Sequence, residues 1–182
     1  MASELGVQTI QHTNGTDALT IDSSGIVTMA NTVMYDTYRL TANVTANQTI
    51  TDWEQPDNSI MATVGDSMSV ASGIFTFPRT GIYRVFGCAL IDNASGDGVT
   101  GFEIQGTTDN SSYSLLSYMR SGNGGSSANY DSVAGEIVVN ISNTSTHKIR
   151  FVSSSVGTGS IVLGNTDQNR TYVSFQYLAP ST

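Results

Sequence analysis

The sequence predicts an all-β fold, an antiparallel β-sandwich or jelly roll preceded by a short β-rich arm, on three observations. Charged residues are only 12% of the 182-residue chain, while Gly, Ser, Thr and Asn abound, a composition that disfavours helices and suits short strands joined by turns. Apolar and polar residues alternate at a spacing of two in run after run, and no stretch carries helical periodicity. After residue 33, turn-forming residues separate about ten such runs, the pattern of a sandwich. The length suffices for one good core with a small appendage, not for two large domains.

The first three apolar runs, 7–10, 18–21 and 26–29, are divided by the turn signals Asn14-Gly15 and Asp22-Ser-Ser-Gly25. Two- or three-stranded ribbons are marginal in water, so this segment must pack on neighbouring chains or a partner surface. Residues 1–31 therefore read as an attachment arm, with Val7, Ile10, Leu19, Ile21, Ile26 and Val27 as its contacts, and 32–182 as the sandwich.

Strands are expected at 33–40, with Tyr35 and Tyr38, and at 50–53, leading into Glu54-Gln-Pro-Asp-Asn58. A shorter candidate follows at 60–64 and a weak one at 69–71. The stretch 72–87 organises the rest: two apolar runs meet at a tight turn where Pro78, lacking an N–H, costs no ladder bond and Gly81 supplies turn freedom. In the second run, Ile82, Phe86, Cys88 and Leu90 alternate with Tyr83, Val85, Ala89 and Ile91, with Arg84 the exception. A strand apolar on both faces lies mid-sandwich or at a subunit interface. Later strands alternate cleanly. Val133, Ile137, Val139 and Ile141 oppose Glu136 and Asn140; Ile149 and Phe151 oppose Lys148 and Arg150; Val173, Phe175 and Tyr177 oppose Ser174 and Gln176. Further runs lie at 102–104, 113–119 and 161–163, and the Gly/Ser-rich loops 121–127 and 157–159 look most flexible.

Charge excludes one class of partner. With a net charge of -8 and only seven scattered Lys and Arg residues, the chain is not expected to bind nucleic acid, whose affinity rests on cations displacing counterions. No stretch approaches the roughly 18 apolar residues of a membrane span, and Met-Ala-Ser-Glu-Leu-Gly lacks the marks of a signal peptide, so synthesis in the cytosol without secretion is expected. The Asn-x-Ser/Thr triplets then follow from composition rather than glycosylation. Cys88 has no partner for an intrachain disulfide and reads as a buried, inert thiol.

Candidate chemistry is sparse. His12 in the arm and His147 at a strand edge belong to no nucleophile–base motif, so no enzyme is expected. Asp92-Asn-Ala-Ser-Gly-Asp-Gly98 places oxygen donors on a Gly-containing loop, which reads first as an ordinary turn and second as a calcium loop, without EF-hand spacing. The acidic cluster Asp52, Glu54 and Asp57 around Trp53 is a weaker cation candidate. Tyr113, Tyr118 and Tyr130, next to polar loops, are candidates for ligand recognition against the alternative of core or subunit packing.

With the strands placed, Gly73-Ile-Phe-Thr-Phe-Pro78 followed by Thr80-Gly-Ile-Tyr83 resembles a pattern of the C1q/TNF-like jelly-roll family: aromatic-x-aromatic-Pro, small residue, Gly, aliphatic, aromatic. The likeness is greatest to versions found in phage virion proteins. Thr171-Tyr-Val-Ser-Phe-Gln-Tyr-Leu178 is similar to the family's last strand, and Asp109-Asn-Ser-Ser-Tyr113 and Lys148-Ile-Arg-Phe151 to a strand turn and a penultimate strand. Gln8-Thr-Ile-Gln-His-Thr-Asn-Gly15 and Ala18-Leu-Thr-Ile-Asp-Ser-Ser-Gly25 resemble leader segments of marine and cyanobacterial phage fibre proteins. The resemblance covers residues 5–30 and 35–178. It lacks the collagen-like repeats of many cellular relatives, so an immune or hormonal role gains nothing from it.

This resemblance implies a homotrimer around a threefold axis, with Phe75, Phe77, Tyr83, Val85, Phe86, Phe175 and Tyr177 in the core or the trimer contact. It implies a non-enzymatic phage structural protein on the virion surface: a knob held by its arm as a capsid decoration or cement protein or head fibre, with the major capsid protein as partner. The alternative is a tail-fibre module recognising host surface glycan through Tyr113, Tyr118 and Tyr130. A soluble C1q-like lectin ranks third.

Overall fold

The computed structural model describes residues 8–11, 13–15, 17–29, 33–127 and 129–182. The chain divides into two compact units, Met1–Thr32 and Val33–Thr182. In the first, β1 (Thr9–Gln11), β2 (Asp17–Ile21) and β3 (Val27–Met29) form an antiparallel sheet in that order. The Asp22 carboxylate shapes the β2–β3 turn by accepting the N–H groups of Ser24 (2.8 Å) and Ile26 (2.9 Å), and Gly25 closes it with φ 79°. Ile10 lies opposite Leu19 and Ile21 opposite Val27, so these four apolar residues share one face of the sheet.

The second unit is a sandwich of two six-stranded antiparallel sheets, and no helix occurs among the described residues. Its strands are β4 (Tyr35–Leu40), β5 (Gln48–Thr49), β6 (Trp53–Glu54), β7 (Ser69–Ala71), β8 (Ile74–Thr76), β9 (Gly81–Asn93), β10 (Thr100–Thr107), β11 (Ser114–Ser121), β12 (Asn129–Ile141), β13 (Lys148–Ser154), β14 (Ile161–Val162) and β15 (Tyr172–Ala179). Sheet I runs β12-β9-β15-β4-β6, with β14 also on β9; sheet II runs β11-β10-β13-β8-β7, with β5 also on β13.

Alternating side chains from both sheets meet between them, and aromatic rings dominate the contact. Phe75, fully buried, has ring neighbours Phe175 at 4.9 Å, Tyr38 at 5.1 Å, Phe151 at 5.6 Å and Trp53 at 6.0 Å. Phe77 continues the cluster to Tyr83 at 4.6 Å, and Tyr83 to Tyr177 at 5.3 Å. Pairs at these separations add about 0.5–1.5 kcal/mol each beyond their area burial. Fully burying a Phe contributes about 1.5–3 kcal/mol. Two polar residues within this layer are hydrogen-bonded as follows: the Tyr38 hydroxyl donates to Met68 O (2.7 Å), and buried Asp36 accepts Met68 N–H and Gln55 Nε2–H, both at 2.8 Å.

The organising stretch 72–87 is no hairpin. β8 pairs with β7 and β13, β9 pairs with β12 and β15, and the turn holding Pro78 carries the chain from sheet II to sheet I. Gly81 is required less for turn freedom than for space, since a Cβ there would collide with the Tyr177 ring. The candidate strand 60–64 is a loop in which only Val64 bridges to Tyr35, and Ile60 is 90% exposed. Run 50–53 is interrupted because buried Ile50 and Trp53 both turn inward, with Trp53 Nε1 donating to Ile50 O (2.9 Å). Loop 121–127 is built around buried Asn123, whose Nδ2 donates to Ser127 O (2.6 Å) and whose Oδ1 accepts Gly125 N–H (2.9 Å).

Candidate functional site

Every strand of the sandwich shows one face to its core, so candidate sites fall to its outer faces, its ends and the first unit. In β9, Tyr83, Val85, Ala89 and Ile91 are fully buried, while Ile82, Phe86, Cys88 and Leu90 look outward and remain half-buried. The register extends this outer face across sheet I. Val138, Arg84, Gln176 and Tyr35 form one row; Glu136, Phe86, Ser174 and Thr37 the next; Ala134, Cys88, Tyr172 and Arg39 the third. Phe86 lies 5.8 Å from Tyr172, ring to ring, and Val138 and Leu178 are 63% and 46% exposed. The one ion pair in the middle of this face joins Arg84 to Glu136.

Of the residues expected in the core or trimer contact, Phe75, Phe77, Tyr83, Val85 and Phe175 are buried in the core and Tyr177 packs against it. Phe86 alone belongs to the outer face. Cys88 shares that face. It is half-buried rather than buried, and burial pushes its thiol up in pKa. At the far edge, Arg39, 1% exposed, donates to Glu54 Oε1 (2.8 Å) and Asp57 Oδ1 (2.5 Å), and its guanidinium holds the Asp57 carboxyl below the usual range. Two members of the acidic cluster are thereby committed to a structural cation. A cleft of about 180 Å³ lies beside it, lined by Tyr35, Thr37, Met61, Asn169 and Tyr172 among others.

The outer face of sheet II has a different chemistry. Leu115, Gln105, Arg150 and Ile74 form one row, Tyr118, Glu103 and Val152 the next, and Arg120, Gly101 and Ser154 the third. Lys148 occupies the same face beside Thr76. Arg150 donates through Nε and Nη2 to Gln105 Oε1 (2.9 and 2.7 Å) and lies 4.0 Å over the Tyr113 ring; Gln105 Nε2 in turn donates to Glu103 Oε2 (2.6 Å). The Arg120 guanidinium stands 5.3 Å over the Tyr118 ring. Burial pushes the Lys148 ammonium down in pKa, and Nζ is held by Thr76 Oγ1 (2.9 Å) and Thr144 O (2.6 Å).

Tyr113 and Tyr118 thus lie on the same outer face, beside Arg150 and Arg120 respectively, whereas Tyr130 is on the other sheet, 68% exposed and opposite Asp92. Tyr118 is within β11, as the run 113–119 predicts, Tyr130 is near the start of β12 beside loop 121–127, and Tyr113 precedes its strand. Arg120, Lys148 and Arg150 were missed as a group. The available signal was Lys148-Ile-Arg150, whose alternation aims two cations to one face.

At one end of the sandwich, Asp97 ties its own loop to loop 155–160 and to the start of β10. Its carboxylate accepts the Ser160 hydroxyl, Thr100 Oγ1–H (3.0 Å) and Gly157 N–H (3.3 Å). Burial pushes this carboxyl up, but the hydroxyls and backbone N–H groups outweigh it and hold it below the usual range. Its lone pairs are therefore spent on the fold, and among the described residues no group of three or more His, Cys, Asp or Glu is placed to hold a metal ion. His147 contacts Ser142 Oγ through Nε2 (3.3 Å) and Thr146 Oγ1 through Nδ1 (3.1 Å). His12 and Val7 lie outside the described residues. In the first unit Ile10, Ile26 and Val27 are 52%, 61% and 54% exposed, and Leu19 and Ile21 are half-buried.

The sequence matches no protein-family model and no curated protein. Among solved structures, Eiger TNF from S. frugiperda superposes with a TM-score of 0.65 at 10% identity over 84% of this chain and 96% of that one. Murine APRIL at pH 5.0 gives 0.61 at 12% identity over 80% and 99%. The fold is thus a C1q/TNF-like jelly roll, as the resemblance implied.

Proposed function

We propose that this jelly roll is a non-enzymatic structural protein of a phage virion, a homotrimeric knob anchored by its first unit and serving as capsid decoration, cement or head fibre. The carrying observation is the outer face of sheet I, where Ile82, Phe86, Cys88, Leu90, Tyr172, Val138 and Leu178 make an apolar surface around the Arg84–Glu136 pair on a monomer. Extended apolar surface on a soluble domain is an interaction site, and identical copies packed around an axis would cover it. The anchoring role draws on the shared apolar face of Ile10, Leu19, Ile21 and Val27 in a sheet too small for a core. The phage setting rests on the sequence resemblance, and the proposed partner is the major capsid protein. Deletion of residues 1–30 is expected to abolish binding to isolated capsids while leaving a trimer by sedimentation. Particle binding retained by the truncated protein would sink the anchor assignment.

A second reading, recognition of host surface glycan, is favoured by the convergence of Tyr113 and Tyr118 on the cationic outer face of sheet II. Saturation of capsids at fixed stoichiometry without any glycan binding would leave only the first reading.

A further inference from the structure

In a chain of net charge -8 with seven Lys and Arg residues, three of them, Arg120, Lys148 and Arg150, lie on the outer face of sheet II. Arg39, Arg79 and Arg84 each pair with a carboxylate; none of these three does, among the described residues. An acidic protein therefore holds a local excess of positive charge on one face. The two accessible members are each presented against an aromatic ring, which orients a guanidinium without neutralising it. Fixed guanidinium groups recognise carboxylate and sulfate oxygens through paired N–H donors.

The aromatic component is also arranged as a platform. Gly101 has no side chain between Tyr118 and the sheet, and a Cβ there would lie 2.8 Å from the Tyr118 hydroxyl and 2.5 Å from Ser154 Oγ. Tyr118 thus lies across the strand above Gly101, 38% exposed. Two side-chain hydroxyls on this face, Tyr113 Oη and Ser154 Oγ, are shielded and have no hydrogen-bond partner, an arrangement that costs stability unless something else uses it. From the Arg150 row to the Arg120 row is four residues along the strand, about 13 Å, room for a short run of sugar rings. Between them, Glu103 and the amide of Gln105 supply a sugar-hydroxyl acceptor and donor.

We infer that the outer face of β11-β10-β13 binds an acidic saccharide, a polymer carrying carboxylate or sulfate groups. Tyr118 stacks on a sugar ring, Arg120 and Arg150 engage the anionic groups, and Glu103 with Gln105 meets sugar hydroxyls. This inference deepens the glycan reading and rests on it. Aromatic stacking selects a ring and fixed guanidinium groups select its charge, so the two together specify more than either.

The test is immobilised full-length protein exposed to alginate, dextran sulfate, neutral dextran and duplex DNA at two salt concentrations. Alginate or dextran sulfate is expected to bind in a salt-dependent manner, at least tenfold more tightly than neutral dextran or DNA. Arg120→Gln, on an exposed position, should weaken it about fivefold, and Tyr118→Ala at least tenfold with an unchanged melting temperature. The binding arm separates carboxylate from sulfate recognition. Equal binding of all polyanions, unaffected by Tyr118→Ala, would reduce the face to a nonspecific cationic patch and overturn the proposal. Neutral dextran bound in a Tyr118-dependent way would overturn the acidic ligand but keep the glycan reading, and no binding to any saccharide would overturn both.

Discussion

Sheet I and sheet II bury equivalent inner faces in one aromatic core, yet outside it they diverge. Sheet I turns out Ile82, Phe86, Cys88 and Leu90 with a single central ion pair, while sheet II turns out Arg120, Arg150, Gln105, Glu103 and Tyr118. The core requires only every second residue of a strand, so the other half is free to vary without changing the fold. Apolar residues there favour a like surface; unpaired cations set against aromatic rings favour an anionic ligand. The two outer faces thus differ in chemistry and lie on different sheets, so each can be altered alone.

The largest effect should come from breaking what the faces share. Phe75→Ala removes the ring that touches four others and should cost about 3–5 kcal/mol, with loss of both oligomer and ligand binding in the same thermal melt. Phe86→Glu should act on sheet I alone: sedimentation should show a folded monomer with its saccharide binding per chain retained. The ion pair sharpens this further. If sheet I is covered by neighbouring copies, Glu136→Gln leaves Arg84 unpaired away from water and should cost about 3 kcal/mol in the trimer, but under about 1 kcal/mol in the monomeric Phe86→Glu background.

Asp97→Asn touches neither face and should cost about 1–3 kcal/mol by disrupting the loop junction. Because the folded Asp97 carboxyl is held below its unfolded value, its stabilisation is complete above the unfolded carboxylate value near about 4. It is lost as pH falls through the lowered folded value. Acid titration of the variant should accordingly show a shallower loss of stability than the parent. The smallest effect on stability, within about 0.5 kcal/mol, is expected for Arg120→Gln, measured beside its loss of ligand.

Much of the sandwich was legible because half-buried strands write their burial into alternation, as in Ile149 and Phe151 against Lys148 and Arg150. The legibility ends where neighbours in space are remote in sequence. Arg120 and Arg150 meet only through β10, which pairs with both of their strands, so their common face follows from register and not from spacing. Tyr118 was legible as part of the strand run 113–119, but its place over Gly101 was not, because it follows from the β10–β11 register. Run 60–64 misled in the other direction. Its apolar residues look like a strand, but only Val64 bridges to Tyr35 while the rest of the run stays in the loop.

β15, the last strand in sequence, sits in the middle of sheet I between β9 and β4. A ribosome must therefore release nearly the whole jelly roll before that sheet can close. Chains cut short before Tyr172 would lack the strand that seats Tyr172 and Gln176 beside Cys88 and Arg84. Such fragments would keep the β9 and β12 part of the outer face but leave the β9 edge that β15 covers without its partner strand.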